Sequence, residues 1–359
     1  MQKILSRRIA VVCVIVGLTL LASSAAAQVE VKSKAMELTI TGRVHGQFNT
    51  SSVAGEPGSE FLVRRARLTA ELKINDFVSG KIQPDFGEGE INLKDAYVRL
   101  TFSPSFRATI GQFKRPFDLF ELTSSTQILV IERAGGVRGV SACPGPGGVC
   151  SFSRLTEKLQ YSDRDIGVII DGKDPSGRFT YAASVTNGVG ANTADENGPK
   201  SYTGRVGFSP VENVTIAAHA ALHDYVDPST DDEYATAFGG DVEVGEYSQG
   251  LHVKAGIVAG ENWLNVVAGE PSNFLSAQAI VTYKLAVPDN PFVSHVEPLT
   301  RASWGDPDTD ASDDEGWLFT PGFVVHFVGR NKIAANVDVW NPAVGDTECS
   351  IKVQSYLHF

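Results

Sequence analysis

Apolar and polar residues alternate one by one along most of the chain after residue 35, in segments that turn residues separate. The segment from Met36 to Phe48 places Leu38 and Ile40 on one face and Thr39 and Thr41 on the other. A period of two is typical of a strand, whereas a helix repeats near every 3.6 residues, and no helical period is sustained here. Two further strands are predicted at Phe61 to Ile74 and Leu93 to Phe102.

The connections between these segments alternate between short turns and longer polar stretches. A transmembrane barrel has tight periplasmic turns on one rim and longer extracellular loops on the other, and needs only every second residue to be apolar. The sequence therefore predicts an all-β, antiparallel transmembrane β-barrel of about sixteen strands, whereas a soluble β-sandwich has no reason to alternate its loops. The predicted long connections are Ser51 to Glu60, Lys114 to Arg164, Gly188 to Lys200, Tyr225 to Tyr234, Gly260 to Asn273 and Gly305 to Glu315.

The third of these connections, about 114–164, is by far the longest. In a barrel of this size such a loop can fold inward and narrow the lumen. We expect an inward fold, with simple surface decoration as the alternative.

The first residues are typical of a secretory signal peptide, because Lys3, Arg7 and Arg8 precede an apolar run and Ala25 to Ala27 offers a cleavage site. We expect residues 1–27 to be removed and 28–359 to form a single barrel domain. Without residues 1–27 the formal net charge moves from -11 to -14, which disfavours a nucleic-acid partner. No nucleophile elbow, P-loop or dinucleotide motif is present, so neither an enzyme nor a cofactor is expected.

Three cysteines remain after residue 27. Cys143 and Cys150 bracket a short Pro/Gly-rich stretch and are a possible disulfide in an exported protein. Cys349 is left over, and we interpret it as a small residue near a strand start.

Basic residues recur on the polar faces of the first predicted strands. Facing the lumen together, they would form a basic wall that favours anions, since the planar guanidinium of arginine donates two hydrogen bonds to an oxyanion. The alternative is that they pair across the strands with Glu37, Glu71, Asp85 and Asp95 and only tie the wall together. The proposed wall is Arg43, Arg65, Arg67, Lys73, Lys81, Arg99 and Arg107.

Several short motifs follow one another in an order that resembles the phosphate-selective porins O and P of bacterial outer membranes. They are Phe61-Leu-Val-Arg-Arg-Ala-Arg-Leu68, Leu93-Lys-Asp-Ala-Tyr-Val98, Gly111-Gln-Phe-Lys-Arg-Pro-Phe117, Glu121-Leu-Thr-Ser-Ser125 and Ile131-Glu-Arg133. The resemblance implies a trimeric, sixteen-stranded barrel in the outer membrane that passes small solutes, with anion preference set by inward Arg and Lys. The second half departs from this pattern, because it is poor in Arg and rich in Asp and Glu.

The family motif makes Lys114 and Arg115 candidates for a constriction. Lys114 lies an even number of positions from the apolar Ala108 and Ile110, so simple alternation would place it on the same face as these residues. A bulge or a strand end near Lys114 would be needed for its side chain to face the lumen. Three more candidates lie farther along the same loop: Arg133, Arg138 and Arg154.

We therefore expect an outer-membrane porin for small anions such as phosphate or for other small hydrophilic solutes. A non-selective or cation-leaning porin and a plugged structural or adhesive barrel are the alternatives. The acidic outer loops are expected to contact lipopolysaccharide. The terminal Phe359 resembles the signal that the barrel assembly machinery reads. No metal site is expected, because Asp306-x-Asp308-x-Asp310 lacks the glycine and glutamate of a calcium loop. His219 and His223 are expected to be lumen residues.

Overall fold

The computed structural model describes residues 29–33, 36–53, 58–133, 140, 151–195, 197–225, 233–267 and 269–359. The predicted signal peptide, Arg138 and the Cys143–Cys150 pair lie outside the described residues.

Sixteen strands form one closed antiparallel barrel, as the alternating pattern predicts. Each strand from β2 to β16 pairs with the next in sequence, and β17 pairs with β2 to close the sheet. The strands are β1 Val29–Ser33, β2 Met36–Thr50, β3 Ser59–Lys73, β4 Val78–Asp85, β5 Asn92–Ser103, β6 Phe106–Lys114, β7 Arg164–Lys173, β8 Phe179–Thr186, β9 Ser201–Val211, β10 Val214–Tyr225, β11 Glu233–Glu246, β12 Gln249–Val267, β13 Glu270–Ala286, β14 Val293–Asp306, β15 Gly316–Phe327, β16 Lys332–Pro342 and β17 Glu348–His358.

The seam between β2 and β17 ends in a close contact between a glycine and an aromatic ring. Gly42 and Phe359 exchange two backbone hydrogen bonds of 2.7 and 3.0 Å. A Cβ at position 42 would lie 2.2 Å from Cζ of Phe359, so only glycine leaves room for the ring. The short strand β1 pairs with residues 36–40 of β2, beyond the end of β17, and extends the seam.

The two faces of the wall have the polarity of a barrel in lipid. On β17, Ile351 and Leu357 are 48% and 45% exposed, whereas Lys352 and Gln354 are fully buried. Apolar side chains thus point outward and polar side chains inward, the reverse of a water-soluble fold.

One predicted loop is wrong: most of the stretch from Gly260 to Asn273 belongs to strands, since β12 continues to Val267 and β13 begins at Glu270. Its polar residues remain in the strands because they bond to the neighbouring connection. Asn262 donates to the Pro307 carbonyl at 2.9 Å, and Asn265 donates to Asp308 at 2.8 Å.

Two short helices, α1 (Leu119–Leu122) and α2 (Phe152–Lys158), lie in the connection between β6 and β7. Asp118 caps α1 by accepting a 2.7 Å hydrogen bond from the Glu121 amide. Among the described residues, no helix combines the length and the apolarity that crossing a membrane requires.

Candidate functional site

The described residues of the connection between β6 and β7 (115–133, 140 and 151–163), which we call the inner loop, pack apolar side chains against one half of the wall. Phe117, Phe152, Leu155 and Tyr161 are fully buried. The wall residues in this cluster belong to β10 through β17, and we call the inward faces of these strands the packed side. They are Ala221, Tyr225, Ala235, Ala237, Val258, Phe274, Ile280, Leu299, Val324, Ala334 and Tyr356.

Polar side chains of the packed side hold the backbone of the inner loop. Arg301 on β14 donates to the carbonyls of Glu132 and Arg133 at 2.8 and 2.9 Å. Asn336 on β16 accepts a 2.7 Å hydrogen bond from the amide of Ile131. Further anchors are Lys254 to Thr123, Lys332 to the Ile128 carbonyl, Tyr247 to the Thr126 carbonyl, Ser303 to the Phe152 amide and Trp263 to the Leu159 carbonyl.

The inward faces of β2 to β9 form the opposite half of the wall, which we call the open side because two cavities lie along it. One cavity of about 520 Å³ is lined by Arg107, Lys173 and Arg205, and one of about 400 Å³ by Lys81 and Arg99. Both cavities include Thr101, so they adjoin along the wall. One cavity between the inner loop and the packed side, lined by Phe120, Lys254 and Ile280 among others, has about 20 Å³.

Most proposed wall cations are paired with carboxylates, but only Arg67 and Lys81 pair with acidic residues that the alternative interpretation names. Arg67 Nε lies 2.6 Å from Asp85, and Lys81 Nζ lies 3.0 Å from Asp95. Arg107 pairs with Asp171 on β7. Lys73 lies at the rim, with its side chain 55% exposed, and pairs with Asp76 in the adjoining turn.

Two wall cations, Arg43 and Arg99, form no ion pair with any carboxylate among the described residues. Arg43 donates to the hydroxyl of Ser125 in the inner loop at 2.7 Å, and Arg67 donates to the same oxygen at 3.2 Å. Arg99 donates to Thr109 at 2.9 Å and lies 5.1 Å from the centre of the Tyr97 ring. Neither charge is thus neutralised by a carboxylate within ion-pair distance among the described residues.

Arg64 is a lumen residue that the alternating pattern misses. The pairing of β2 with β3 shifts between His45 and Gly46, so Arg64 is an extra residue in its strand. The bulge lets two consecutive arginines face the inner loop. Arg64 Nε lies 2.6 Å from Glu132, and Arg65 Nη2 lies 3.4 Å from the same carboxylate. In the sequence, only the adjacent arginines Arg64 and Arg65 indicate this additional lumen residue.

The constriction candidates in the loop have different surroundings. Lys114 reaches Glu121 at 2.9 Å, and Gly111 (φ +131°) interrupts the alternation ahead of it. Arg115 is buried and donates to the Ser162 carbonyl at 2.9 Å, which ties the base of the loop together.

Arg133 and Arg154 also lie within the inner loop. Arg133 Nε donates to the Phe120 carbonyl at 3.1 Å and lies 3.4 Å from Glu121. Arg154, on α2, has a buried Nε with no hydrogen-bond partner among the described residues. Neither side chain projects freely into the open side.

Two carboxylates of the inner loop have opposite pKa shifts. Burial alone would raise the pKa of Glu132, but the guanidiniums of Arg64 and Arg65 outweigh it and lower the pKa to about 2. Enclosure by the barrel, and then the charges of Glu121 and Asp163, raise the pKa of Glu157 to about 7. Glu132 is thus ionised at neutral pH, whereas Glu157 titrates near neutrality.

Inward cations on the packed side are a second group that the sequence reading overlooked. Arg301 and Lys352 are buried and share Asp338, at 3.0 and 2.5 Å. Lys254 pairs with Glu243 at 3.2 Å. The period of two predicts that these cations face inward, but the sequence does not show which carboxylates they pair with.

His219 and His223 both face inward on β10, as expected, and are buried. His219 lies beside Phe117, with ring centres 4.4 Å apart. Among the described residues, no group of three or more His, Cys, Asp or Glu side chains is arranged to hold a metal ion. Cys349 is a free, exposed thiol.

A closed sixteen-stranded barrel with a polar interior and an inner loop defines an outer-membrane channel of the porin class. The chain belongs to the family "Phosphate-selective porin O and P", whose model matches residues 38–262. Membership confirms the resemblance seen in the motifs and places the protein in the bacterial outer membrane. The family and the fold are those of a channel rather than an enzyme.

Solved structures of outer-membrane channels share this fold. The channel DcaP of Acinetobacter baumannii is 14% identical, with a TM-score of 0.64 over 92% of this chain and 99% of its own. OmpF of Salmonella typhi, in complex with daunomycin, is 11% identical, with a TM-score of 0.59 over 92% and 100%. OmpT of Vibrio cholerae, in its trimer form, is 12% identical, with a TM-score of 0.58 over 90% and 100%. No curated protein sequence matches this chain significantly.

Proposed function

We propose that the protein is a passive diffusion channel for small hydrophilic solutes that prefers anions such as phosphate, and that solutes pass along the open side of the lumen. The observation that carries this proposal is the pair Arg43 and Arg99, lumen cations without a carboxylate partner among the described residues. Fixed positive charge in a narrow hydrated passage lowers the cost of partly dehydrating an anion.

The distribution of space supports the same path. The inner loop fills the packed side with apolar side chains and leaves a cavity of about 20 Å³ there, against about 400 and 520 Å³ on the open side. A hydrated ion cannot cross a close-packed apolar cluster without losing its water. The inner loop thus packs its apolar side chains on one side of the lumen and reaches the other side through polar contacts such as Ser125 with Arg43 and Glu132 with Arg64.

The preference for anions is modest in this account. Arg67, Lys81 and Arg107 each have a carboxylate partner, so their charges are largely neutralised. Ion pairs along the wall exclude neither cations nor anions strongly, so a wider range of solutes can pass.

The assembly is proposed to be a homotrimer embedded in outer-membrane lipid and lipopolysaccharide, with Phe359 read by the barrel assembly machinery. Trimer formation is supported by the family resemblance and by the structure of OmpT in its trimer form. The contact between Phe359 and Gly42 supports a role for the terminal ring in closing the seam.

Reversal potentials in planar bilayers, measured across a tenfold KCl gradient, test the proposal. We expect the wild-type potential to lie toward the chloride equilibrium potential, and Arg43→Gln plus Arg99→Gln to move it toward zero. Arg178→Gln, at an exposed turn, is the matched control and should leave it unchanged.

Three results would contradict the proposal. A wild-type potential on the potassium side would favour a cation-leaning porin. Equal potentials in wild type and double variant would remove the role of Arg43 and Arg99. Absence of conductance from a folded, inserted barrel would favour a plugged structural barrel.

A further inference from the structure

The two adjacent arginines at the β3 bulge should be the strongest anion site in the wall, yet one carboxylate lies against both. Arg64 reaches Glu132 through Nε at 2.6 Å and Nη2 at 3.2 Å, and Arg65 reaches it at 3.4 Å. Glu132 is 3% exposed, and its pKa is lowered to about 2, so it remains charged at any pH at which the channel works. We propose that Glu132 is a specificity-determining residue, which limits the anion preference of the channel by neutralising Arg64 and Arg65.

The position of Glu132 is fixed from the opposite wall. Arg301 on β14 donates to the carbonyl of Glu132 at 2.8 Å and to that of Arg133 at 2.9 Å. Arg301 is itself fully buried and held by Asp338 at 3.0 Å and Thr320 at 3.1 Å. The backbone of 131–133 is therefore held by β14 and β16, and from this fixed backbone the Glu132 carboxylate reaches the arginines of β3.

Of the two arginines, Arg64 remains partly exposed, whereas Arg65 is buried. The side chain of Arg64 is 18% exposed, and its Nη1 lies 3.5 Å from Glu88, whose side chain is 32% exposed. Removal of the Glu132 charge would leave Arg64 with this weaker, more hydrated partner and Arg65 with none in ion-pair distance. The passage would then gain positive charge where the inner loop meets the wall.

This inference deepens the proposed function and rests on it. The test is Glu132→Gln, which keeps the shape and the hydrogen-bonding capacity of the side chain and removes its charge. We expect the chloride-to-potassium permeability ratio to rise about threefold, the effect of one unit charge several ångströms from an ion in water. Glu270→Gln, an exposed carboxylate at the start of β13, is the matched control and should leave the ratio unchanged.

A second pair of variants keeps the test decisive if the first variant inserts poorly. Arg64→Gln should lower the permeability ratio, and Arg64→Gln combined with Glu132→Gln should return it close to the wild-type value. A purely structural role for Glu132 would change conductance and open-channel noise in Glu132→Gln without moving the reversal potential, which would overturn the inference.

The two proposals fail in different ways. An unchanged ratio in Glu132→Gln, with wild type still anion-preferring and Arg43→Gln plus Arg99→Gln still effective, refutes only the role of Glu132. A cation-preferring wild type refutes the proposed function first.

Discussion

The two halves of the barrel wall differ in how far their inward cations are buried and paired. On the packed side, Arg301 and Lys332 are buried and bind the inner loop, and the buried Lys352 shares Asp338 with Arg301. On the open side, Arg43 and Arg99 are only half-buried and have no carboxylate partner among the described residues. The same residue types are therefore fully enclosed on the packed side, whereas Arg43 and Arg99 on the open side keep part of their surface exposed.

The largest expected effect is on the packed side, at Lys352. Lys352→Met would leave Asp338 buried with Arg301 as its remaining cationic partner, and breaking a buried pair in this way costs about 3–5 kcal/mol. The change in the free energy of unfolding is measured by unfolding the detergent-solubilised barrel in guanidinium, with tryptophan fluorescence as the readout. A loss below about 1 kcal/mol would mean that the buried pair behaves like a surface pair.

The apolar contacts of the inner loop come next. Leu155→Ala removes a fully buried side chain from the cluster, at a cost of about 2–5 kcal/mol, and should loosen the loop. Bilayer recordings should show a larger and noisier conductance than wild type. Leu264→Ala, a leucine that is 38% exposed on β12, is the matched control and should behave as wild type. Identical recordings for both variants would show that this cluster does not hold the loop.

A Lys–Asp pair on the open side is expected to matter much less to stability. Lys81→Met breaks a pair whose side chains are 21% and 13% exposed, so we expect a loss of under about 1 kcal/mol. Lys81→Met and Lys352→Met both replace a paired lysine by methionine. Comparing their free energies of unfolding in the same assay therefore shows the effect of burial. Equal losses would remove the distinction between the two sides.

The sequence predicts the barrel well because alternation depends only on neighbouring residues. The faces of β17, from Ile351 to His358, follow directly from a period of two. The position of Arg64 could not be predicted, since one extra residue in β3 shifts the parity of the strand. The Arg301–Glu132 contact joins residues 169 positions apart and depends on the path of the inner loop. Local pattern thus predicts which residues face inward but not which of them remain free.

The smallest expected effect is on pH dependence. Because the pKa of Glu157 is raised to about 7, this carboxylate is ionised at pH 8 and protonated at pH 6. Loss of a negative charge in the inner loop should increase anion preference as the pH falls, by about twofold or less. Reversal potentials at pH 8 and pH 6 measure the change, and Glu157→Gln should abolish it. A shift toward cations at pH 6 would contradict the assignment.

The most direct test of the central claim, that solutes pass along the open side, is accessibility of single cysteines to a charged thiol reagent. Ser79→Cys lines the cavity of about 400 Å³, whereas Ser276→Cys lies on the packed side, where Ser276 is fully buried. Both are made with Cys143, Cys150 and Cys349 replaced by serine, and methanethiosulfonate ethylsulfonate is added during bilayer recording. The account predicts a fall in conductance for Ser79→Cys and none for Ser276→Cys. The reverse pattern would contradict it.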